Sequence, residues 1–387
     1  MQKPIYEPCE DSIMLSRCVR KYAKGRVLDV GTGSGIQAIK ASQKKNVVSV
    51  LATDVQRKVI GDCKRRIKNK KIRFLQSDLF ERISGEFDTI IFNPPYLPQE
   101  LQAKDLRIEG GKKGYETIGK FINEANKFLS MNGIILMIFS SLTNKEKVED
   151  FIENNLMDFK ELEKKHIFFE DIYAYLLEKN EFLKKLESKG ITDVAYMAKG
   201  HRGLLFLGKY KNKKVAIKTK NPKSAAAGRI ENEAKWLKRL NRHKIGPEMI
   251  MSEGNYFIYR FIDGKFIIDY MDKSGGRHIK KIIKKIFSQM FMLDKLGVDK
   301  EEMHHPLKHI IVCNGKPCLI DFERAHFTQK PKNVTQFCQF LIGGRVNHLF
   351  MDKGIRIKRE EVMRLAKIYK NEQNIKNFNN LKNSLFL

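Results

Sequence analysis

Several things are scarce in this sequence, and each scarcity narrows its reading. The six cysteines (Cys9, Cys18, Cys63, Cys313, Cys318, Cys338) form no C-x-x-C pair and no regular framework. That spacing argues against a structural zinc and a disulfide-stapled fold, and fits reduced thiols in a cytoplasm. No apolar run approaches the ~18–20 residues of a membrane span. The opening "MQKPIYEPCED" has no signal-peptide core, so a cytoplasmic location without a membrane partner is expected. Acidic residues are scarce in one half only. The 387 residues hold 74 Lys+Arg against 45 Asp+Glu. Residues 1–180 take 31 and 25 of these, leaving 43 against 20, or +23, for residues 181–387. A basic field of that size suits phosphate-rich partners such as RNA, ribosomes or nucleotides, and equally a solvated lysine-rich face.

What is present is enough for two or three folded domains, since 42% of the chain is hydrophobic and 31% charged. In the first half, apolar runs at 26–30, 47–53, 72–76, 88–92 and 133–139 alternate with segments of helical spacing such as 55–69 and 116–130. This rhythm predicts an α/β, Rossmann-like, mostly parallel seven-stranded sheet. Two adjacent strand-like runs, "FKELEKKHIFF" and "DIYAYLLEK", predict a closing antiparallel hairpin before a boundary near residue 180.

The first run ends in "LDVGTGSG". Gly31, Gly33 and Gly35 let a ligand approach the backbone, and Asp29 stands at the carboxyl end of the strand, where open α/β sheets bind ligands. A dinucleotide site would want G-x-G-x-x-G under a pyrophosphate. The pattern here is G-x-G-x-G with an acid two residues before it, which suits a ligand amine. Asp54 ends the second strand, where a carboxylate can accept both ribose hydroxyls. Asp78, with Leu79 beside it, follows the third strand within reach of an adenine. Three acids at three successive strand ends resemble the S-adenosylmethionine site of a Rossmann-like methyltransferase.

Directly after the fourth strand comes "FDTIIFNPPYLP", containing Asn93, Pro94, Pro95 and Tyr96. An amide nitrogen is a poor nucleophile because its lone pair is delocalised. The Asn93 side-chain oxygen and the Pro94 carbonyl can accept its two hydrogens and aim that lone pair. The prolines hold the geometry, and Tyr96 can pack on the flat group. The motif resembles the N-P-P-Y of methyltransferases acting on planar amide or exocyclic nitrogens. "IYEPCEDS" at 5–12 and "RIEGGKKGYETIGKFI" at 107–122 are similar to segments of the HemK-type glutamine methyltransferases, in the archaeal and eukaryotic release-factor branch. That resemblance covers roughly residues 5–178 and departs from the branch at Glu109, where a Trp is usual. It implies N5-methylation of a protein glutamine, with a translation release factor as partner and Ser12 at the donor. A nucleic-acid adenine methyltransferase, which shares N-P-P-Y, is the alternative.

The second half carries "GHRGLLFLGKY" and "KKVAIKTK", two strands joined by a short turn, with Gly200 and Gly203 ahead of the first and Lys218 near the end of the second. A helix with Glu233 follows, Glu231 being its alternative as partner to Lys218. Then come a hinge-like "NYFIYRFIDG", a long helix, and "LIDFERA" with Asp321. This order resembles a small atypical kinase of the RIO and lipopolysaccharide-kinase type. The likeness implies an α+β two-lobed domain with ATP on Gly200, Gly203, Lys218 and Glu233, and Mg2+ on Asp321. The catalytic loop departs from the pattern. "EEMHHPLKHIIVCNG" has no aspartate beside its first histidine, while Asp299, Glu301 and Glu302 lie near it in sequence. His309 can take the place of the metal-binding asparagine, and His304, His305 and His309 allow either a metal set or plain loop contacts.

These features divide the chain into a methyltransferase domain at 1–179, a kinase-like domain at 180–345 and a basic helical tail at 346–387. Three readings stay open: a bifunctional methyltransferase and kinase, a methyltransferase with a nucleotide-binding or docking module, and a nucleic-acid methyltransferase.

Overall fold

In the computed structural model, which describes residues 9–95, 114–167, 169–199, 203–220 and 228–386, all five apolar runs of the first half form strands. They are β1 (Gly25–Val30), β2 (Val47–Asp54), β3 (Ile72–Gln76), β4 (Phe87–Phe92) and β5 (Leu129–Ser140). Helix α1 (Glu10–Tyr22) precedes them, and α2 (Ile36–Ser42), α3 (Arg57–Arg66) and α4 (Glu116–Ala125) make the crossovers. After α5 (Lys145–Asn154), the expected hairpin appears as β6 (Met157–Ile167) and β7 (Glu170–Lys179), antiparallel to each other. The sheet order is β3-β2-β1-β4-β5-β7-β6, with β1 to β5 parallel and β7 antiparallel to β5.

This order places the switch point between β1 and β4. The chain runs outward through β2 and β3, then returns to pair β4 on the other side of β1. Asp29 therefore sits in register with Ile91, two residues before Asn93. Period-two alternation explains why both faces are covered. Val27, Val50 and Leu136 pack under α1 and α2, while Leu28, Ile90 and Met137 pack under α4 and α5.

The second half begins with α6 (Glu181–Ser188) and builds a five-stranded sheet from β8 (Ile191–Lys199), β9 (Gly203–Tyr210), β10 (Lys213–Lys220), β11 (Met249–Glu253) and β12 (Tyr256–Arg260), in the order β11-β12-β10-β9-β8. Helix α7 (Arg229–Leu240) lies between β10 and β11 in sequence. Beyond β13 (Lys265–Phe266), α8 (Ile267–Asp272) and α9 (Gly276–Lys295), short strands carry the loops of interest: β14 (Val298–Asp299), β15 (Ile310–Cys313), β16 (Lys316–Leu319) and β17 (His326–Phe327). β14 pairs with β17, and β15 with β16.

Helices α10 (Asn333–Leu341), α11 (Gly344–Asp352), α12 (Arg359–Asn371) and α13 (Ile375–Ser384) close the chain. The basic C-terminal segment joins the core of its unit. Tyr369, Phe378 and Leu381 are buried in one cluster with α9. Phe378 stacks on Phe291 with ring centroids 4.2 Å apart, and the Tyr369 hydroxyl donates to Asp294 at 2.9 Å. The chain divides into two units, Met1–Tyr196 with Gly208–Asn212, and Met197–Leu207 with Lys213–Leu387. Cys18, Cys63, Cys313, Cys318 and Cys338 are free thiols. Among the described residues no helix is long and apolar enough to cross a membrane.

Candidate functional site

The turn after β1 is set by three left-handed glycines, Gly31, Gly33 and Gly35, with φ of 68°, 52° and 83°. At Gly31 an added Cβ would meet nothing within 4 Å, so the backbone there faces open space into which a side chain would intrude. At Gly35 the reason is packing, because a Cβ would come 2.5 Å from Ile67. Asp29 is buried at the floor of this turn. Its Oδ2 accepts from the Thr32 hydroxyl at 2.6 Å and from the Ala38 N–H in the first turn of α2 at 3.1 Å. Burial pushes its pKa up to about 7, opposed by those two hydrogen bonds and reinforced by Asp54. Asp54, at the end of β2, accepts from the Gly33 N–H at 3.1 Å and the Gln56 N–H at 2.9 Å. Burial raises its pKa as well, against the same two bonds. Asp78 is exposed, and Leu79 beside it holds a left-handed φ of 40°. Two buried carboxylates with no cation among their electrostatic neighbours in the described residues fit a ligand that brings its own positive charge. The open glycine turn fits a ligand that lies against backbone.

Asn93 leaves the end of β4 toward α1. Its Nδ2 donates to Asp11 Oδ2 at 3.0 Å and lies 3.4 Å from Ser12 Oγ. These acceptors fix which way the amide points, because the flipped amide would set its oxygen against a carboxylate. Among the described residues, the Asn93 Oδ1 is consequently buried and takes no hydrogen bond. Ser12 is anchored in turn by Gln37, whose Nε2 donates to the Ser12 carbonyl at 2.8 Å. Pro94 is buried and Pro95 half-buried, while Tyr96 and Glu109 lie outside the described residues. Sequence reasoning placed Ser12 here but missed Asp11 and Gln37. Asp11 was inside the quoted "IYEPCEDS", yet nothing in a one-dimensional motif shows that it faces Asn93.

The family model for the methyltransferase small domain matches residues 10–169. A putative protein N5-glutamine methyltransferase of Methanocaldococcus jannaschii is 36% identical over 150 residues, covering 37% of this chain and 76% of the relative. The chain belongs to the glutamine methyltransferase family. It is an S-adenosylmethionine-dependent methyltransferase. The release factor glutamine methyltransferase of Haemophilus influenzae is 28% identical, covering 34% of this chain and about half (51%) of the relative. Among solved structures, a chain of the E. cuniculi Mtq2–Trm112 complex, described as responsible for methylation of the eRF1 translation termination factor, is 25% identical. It covers 46% of this chain and 99% of that one, with a TM-score of 0.38. The residues matched by the family model, 10–169, fall in the first half of the chain.

The second unit of the methyltransferase gathers a different set. Lys218 on β10 donates to Glu233 Oε2 on α7 at 2.6 Å and lies 3.3 Å from Asp321 Oδ1. Glu231, the other glutamate weighed as a partner, is exposed. Burial alone would discharge Lys218, but Glu233 and Asp321 outweigh it and raise its pKa. Burial likewise works to raise Asp321, and Lys218, Lys300 and His309 together bring it below the usual carboxylate range. Gly203 lies against β10, where a Cβ would come 3.0 Å from the Thr219 carbonyl. Gly200 lies outside the described residues.

Lys300 is the residue that sequence reading missed altogether. Within the charged run "DKEE" it looks solvated, yet only 2% of it is exposed. Its Nζ donates to the Asp321 carbonyl at 2.7 Å and lies 3.4 Å from His309 Nδ1. Burial lowers its pKa to about 8 against the pull of Asp321, Glu233 and Glu302. His309 is held down to about 4, first by burial and then by Lys300. The reading of His304, His305 and His309 as a metal set is corrected by the geometry. His304 and His305 are exposed, and no group of three His, Cys, Asp or Glu among the described residues has metal-holding geometry.

Proposed function

We propose that the first unit moves a methyl group from S-adenosylmethionine to the side-chain amide nitrogen of a protein glutamine. The names of its relatives point to a translation release factor as acceptor. The observation that carries this reading is the buried, unpartnered Oδ1 of Asn93, held in place by Asp11 and Ser12. A buried acceptor without a donor costs about 1–3 kcal/mol, and an amide N–H of the substrate offsets that cost. Oδ1 accepts one amide hydrogen and the Pro94 carbonyl the other, which turns the nitrogen lone pair toward the incoming methyl. Tyr96 packs on the amide plane. On the donor side, Asp29 faces the ammonium group, Asp54 the ribose hydroxyls, and Asp78 with Leu79 the adenine. Gly31, Gly33 and Gly35 offer backbone, and Ser12 closes the floor. The donor supplies an activated methyl on a sulfonium centre; the protein supplies alignment.

The test is labelled methyl transfer to a purified termination factor and to bulk RNA, read by mass spectrometry. Methylglutamine is the expected product, and label in N6-methyladenine selects a nucleic-acid acceptor instead. Asn93→Ala should cut transfer by about 100- to 1000-fold while the donor Kd changes less than about twofold, because the lost bond acts in the transition state.

The second unit supports a kinase-like reading on its own observation, the lysine shared between Glu233 and Asp321. In that reading Lys218 meets the phosphates of ATP, Glu233 orients it, and Gly203 with Gly200 covers the nucleotide. Asp321, anionic at neutral pH, would hold Mg2+. His309, with Lys300 on one ring nitrogen and Glu302 on the other, serves that carboxylate rather than the ion. A thermal-shift titration of the full chain with Mg-ATP checks this, and no shift at millimolar concentration reduces the unit to a docking module. The charge surplus of residues 181–387 supports RNA or ribosome contact.

A further inference from the structure

A cavity of about 660 Å3 is lined by the loop after β14 and the segment around β17, including Asp299, Glu301, Glu302, His309, Arg324 and Lys332. Its volume is that of an ordinary small-molecule site. Glu301 and Glu302, on its wall, are consecutive left-handed residues with φ of 60° and 58°. Two adjacent β-carbon-bearing residues in that region are held there by their surroundings, and such backbone clusters at working sites.

We propose that this cavity receives a hydroxyl-bearing phosphoryl acceptor and that Glu302 is the carboxylate that orients the hydroxyl and takes its proton. The inference rests on the reading of Lys218, Glu233 and Asp321 as a magnesium-nucleotide site. It fills the place left by the missing loop aspartate with a residue that no sequence motif marks.

One imidazole ring lies between Asp321 and Glu302. His309 Nδ1 is 3.9 Å from Asp321 Oδ2, and its Nε2 is 3.4 Å from Glu302 Oε2. Lys300 also approaches Nδ1, at 3.4 Å. An ammonium has only donors, so Nδ1 is the lone-pair side and the ring hydrogen sits on Nε2, aimed at Glu302. His309 thus has no lone pair left for an acceptor. Arg324 Nη1 holds the other oxygen, Oε1, at 2.6 Å. Both partners of Glu302 are donors, and a carboxylate offers about four lone-pair directions, so two remain for the acceptor hydroxyl. The neighbouring acids are engaged elsewhere. Asp299 is 5% exposed and accepts from the Glu301 N–H at 2.9 Å, and Glu301 lies 3.5 Å from His326.

The step balances simply. The acceptor oxygen forms a bond to the γ-phosphorus of a nucleoside triphosphate. The bond from that phosphorus to the β–γ bridging oxygen breaks, releasing the diphosphate, and the hydroxyl proton passes to Glu302. Removing a general base usually costs 10²–10⁴-fold.

The experiment uses the full chain with magnesium and γ-labelled ATP. It reads label on the protein (a side-chain hydroxyl as acceptor), free orthophosphate (water as acceptor), and Mg-ATP affinity by calorimetry. Glu302→Gln, which keeps the shape and one of the two acceptor oxygens, should retain Mg-ATP affinity within about twofold and lose at least about 100-fold of both labelled products. Glu302→Asp should recover part of that loss with unchanged affinity. Wild-type turnover in Glu302→Gln overturns the proposal and leaves the nucleotide site standing. So does a wild-type chain that binds Mg-ATP and releases no phosphate. Absence of Mg-ATP binding in the wild type overturns the nucleotide reading and this proposal with it.

Discussion

Asp29 near the end of β1 and Asp321 just after β16 both stand at a strand end, the first buried and the second about one-third (34%) exposed, yet their surroundings move them in opposite directions. Among the described residues Asp29 has no cation as an electrostatic neighbour, and it rises to about 7. Asp321 has Lys218, Lys300 and His309, and falls despite its burial. The charge a site lacks indicates the charge of what it takes. The first site offers acids and leaves positive charge to the ligand, as a sulfonium with an ammonium group requires. On the nucleotide reading, the second has its cations in place for a polyphosphate and keeps one carboxylate ionised among them for a metal.

The widest gap between the two sites concerns stability. Lys218→Ala strands Glu233 as an uncompensated buried charge, which should cost the second unit about 3–5 kcal/mol and lower its thermal midpoint. Lys218→Met combined with Glu233→Leu should recover most of that stability without recovering Mg-ATP binding. A single variant as stable as the wild type would break the comparison. On the donor-site reading, the acids of the first site act on the ligand. Asp54→Ala should weaken donor binding by about 1–3 kcal/mol in calorimetry with the fold unchanged. A large fall in midpoint instead would give Asp54 a structural role, through Gly33 and Gln56.

The smallest effect is a pH dependence, and its sign follows from the raised pKa of Asp29. Below about pH 7 the carboxyl is protonated and must lose that proton to face an ammonium. Donor affinity should therefore rise as pH increases through about 7, by at most about tenfold per unit, with proton release on binding. Asp29→Asn should flatten the profile. Mg-ATP affinity should stay level over the same window, because Asp321 is already ionised there.

The first half was legible because its signals are local. The strand-turn-helix of "VLDVGTGSG" and the position of Asn93 after β4 need only the chain order to fall at one switch point. The Lys218–Glu233 pair was legible for the same reason, as a strand and the helix that follows it. The closing helices were not. Their lysines left a nucleic-acid contact and a solvated face both open, while the decisive contacts, Tyr369 to Asp294 and Phe378 to Phe291, join residues about 75 or more positions apart. Lys300 and Glu302 were hidden differently. A run of four charged residues has no periodicity to show which side chain turns inward, and only the left-handed backbone at 301 and 302 separates them.

The orientation of the Asn93 amide has a consequence for substrate quality. With its hydrogens committed to Asp11 and Ser12, the side chain presents a lone pair and nothing else to the acceptor. Glutamine answers with an N–H. Glutamate, the product of glutamine deamidation, brings only further lone pairs and a negative charge to a pocket floored by acids, and sites built on one required hydrogen bond reject such analogues by about 10⁴-fold or more. On the glutamine reading, the pocket distinguishes an intact acceptor from one whose amide has already hydrolysed, so an aged substrate would pass through unmarked.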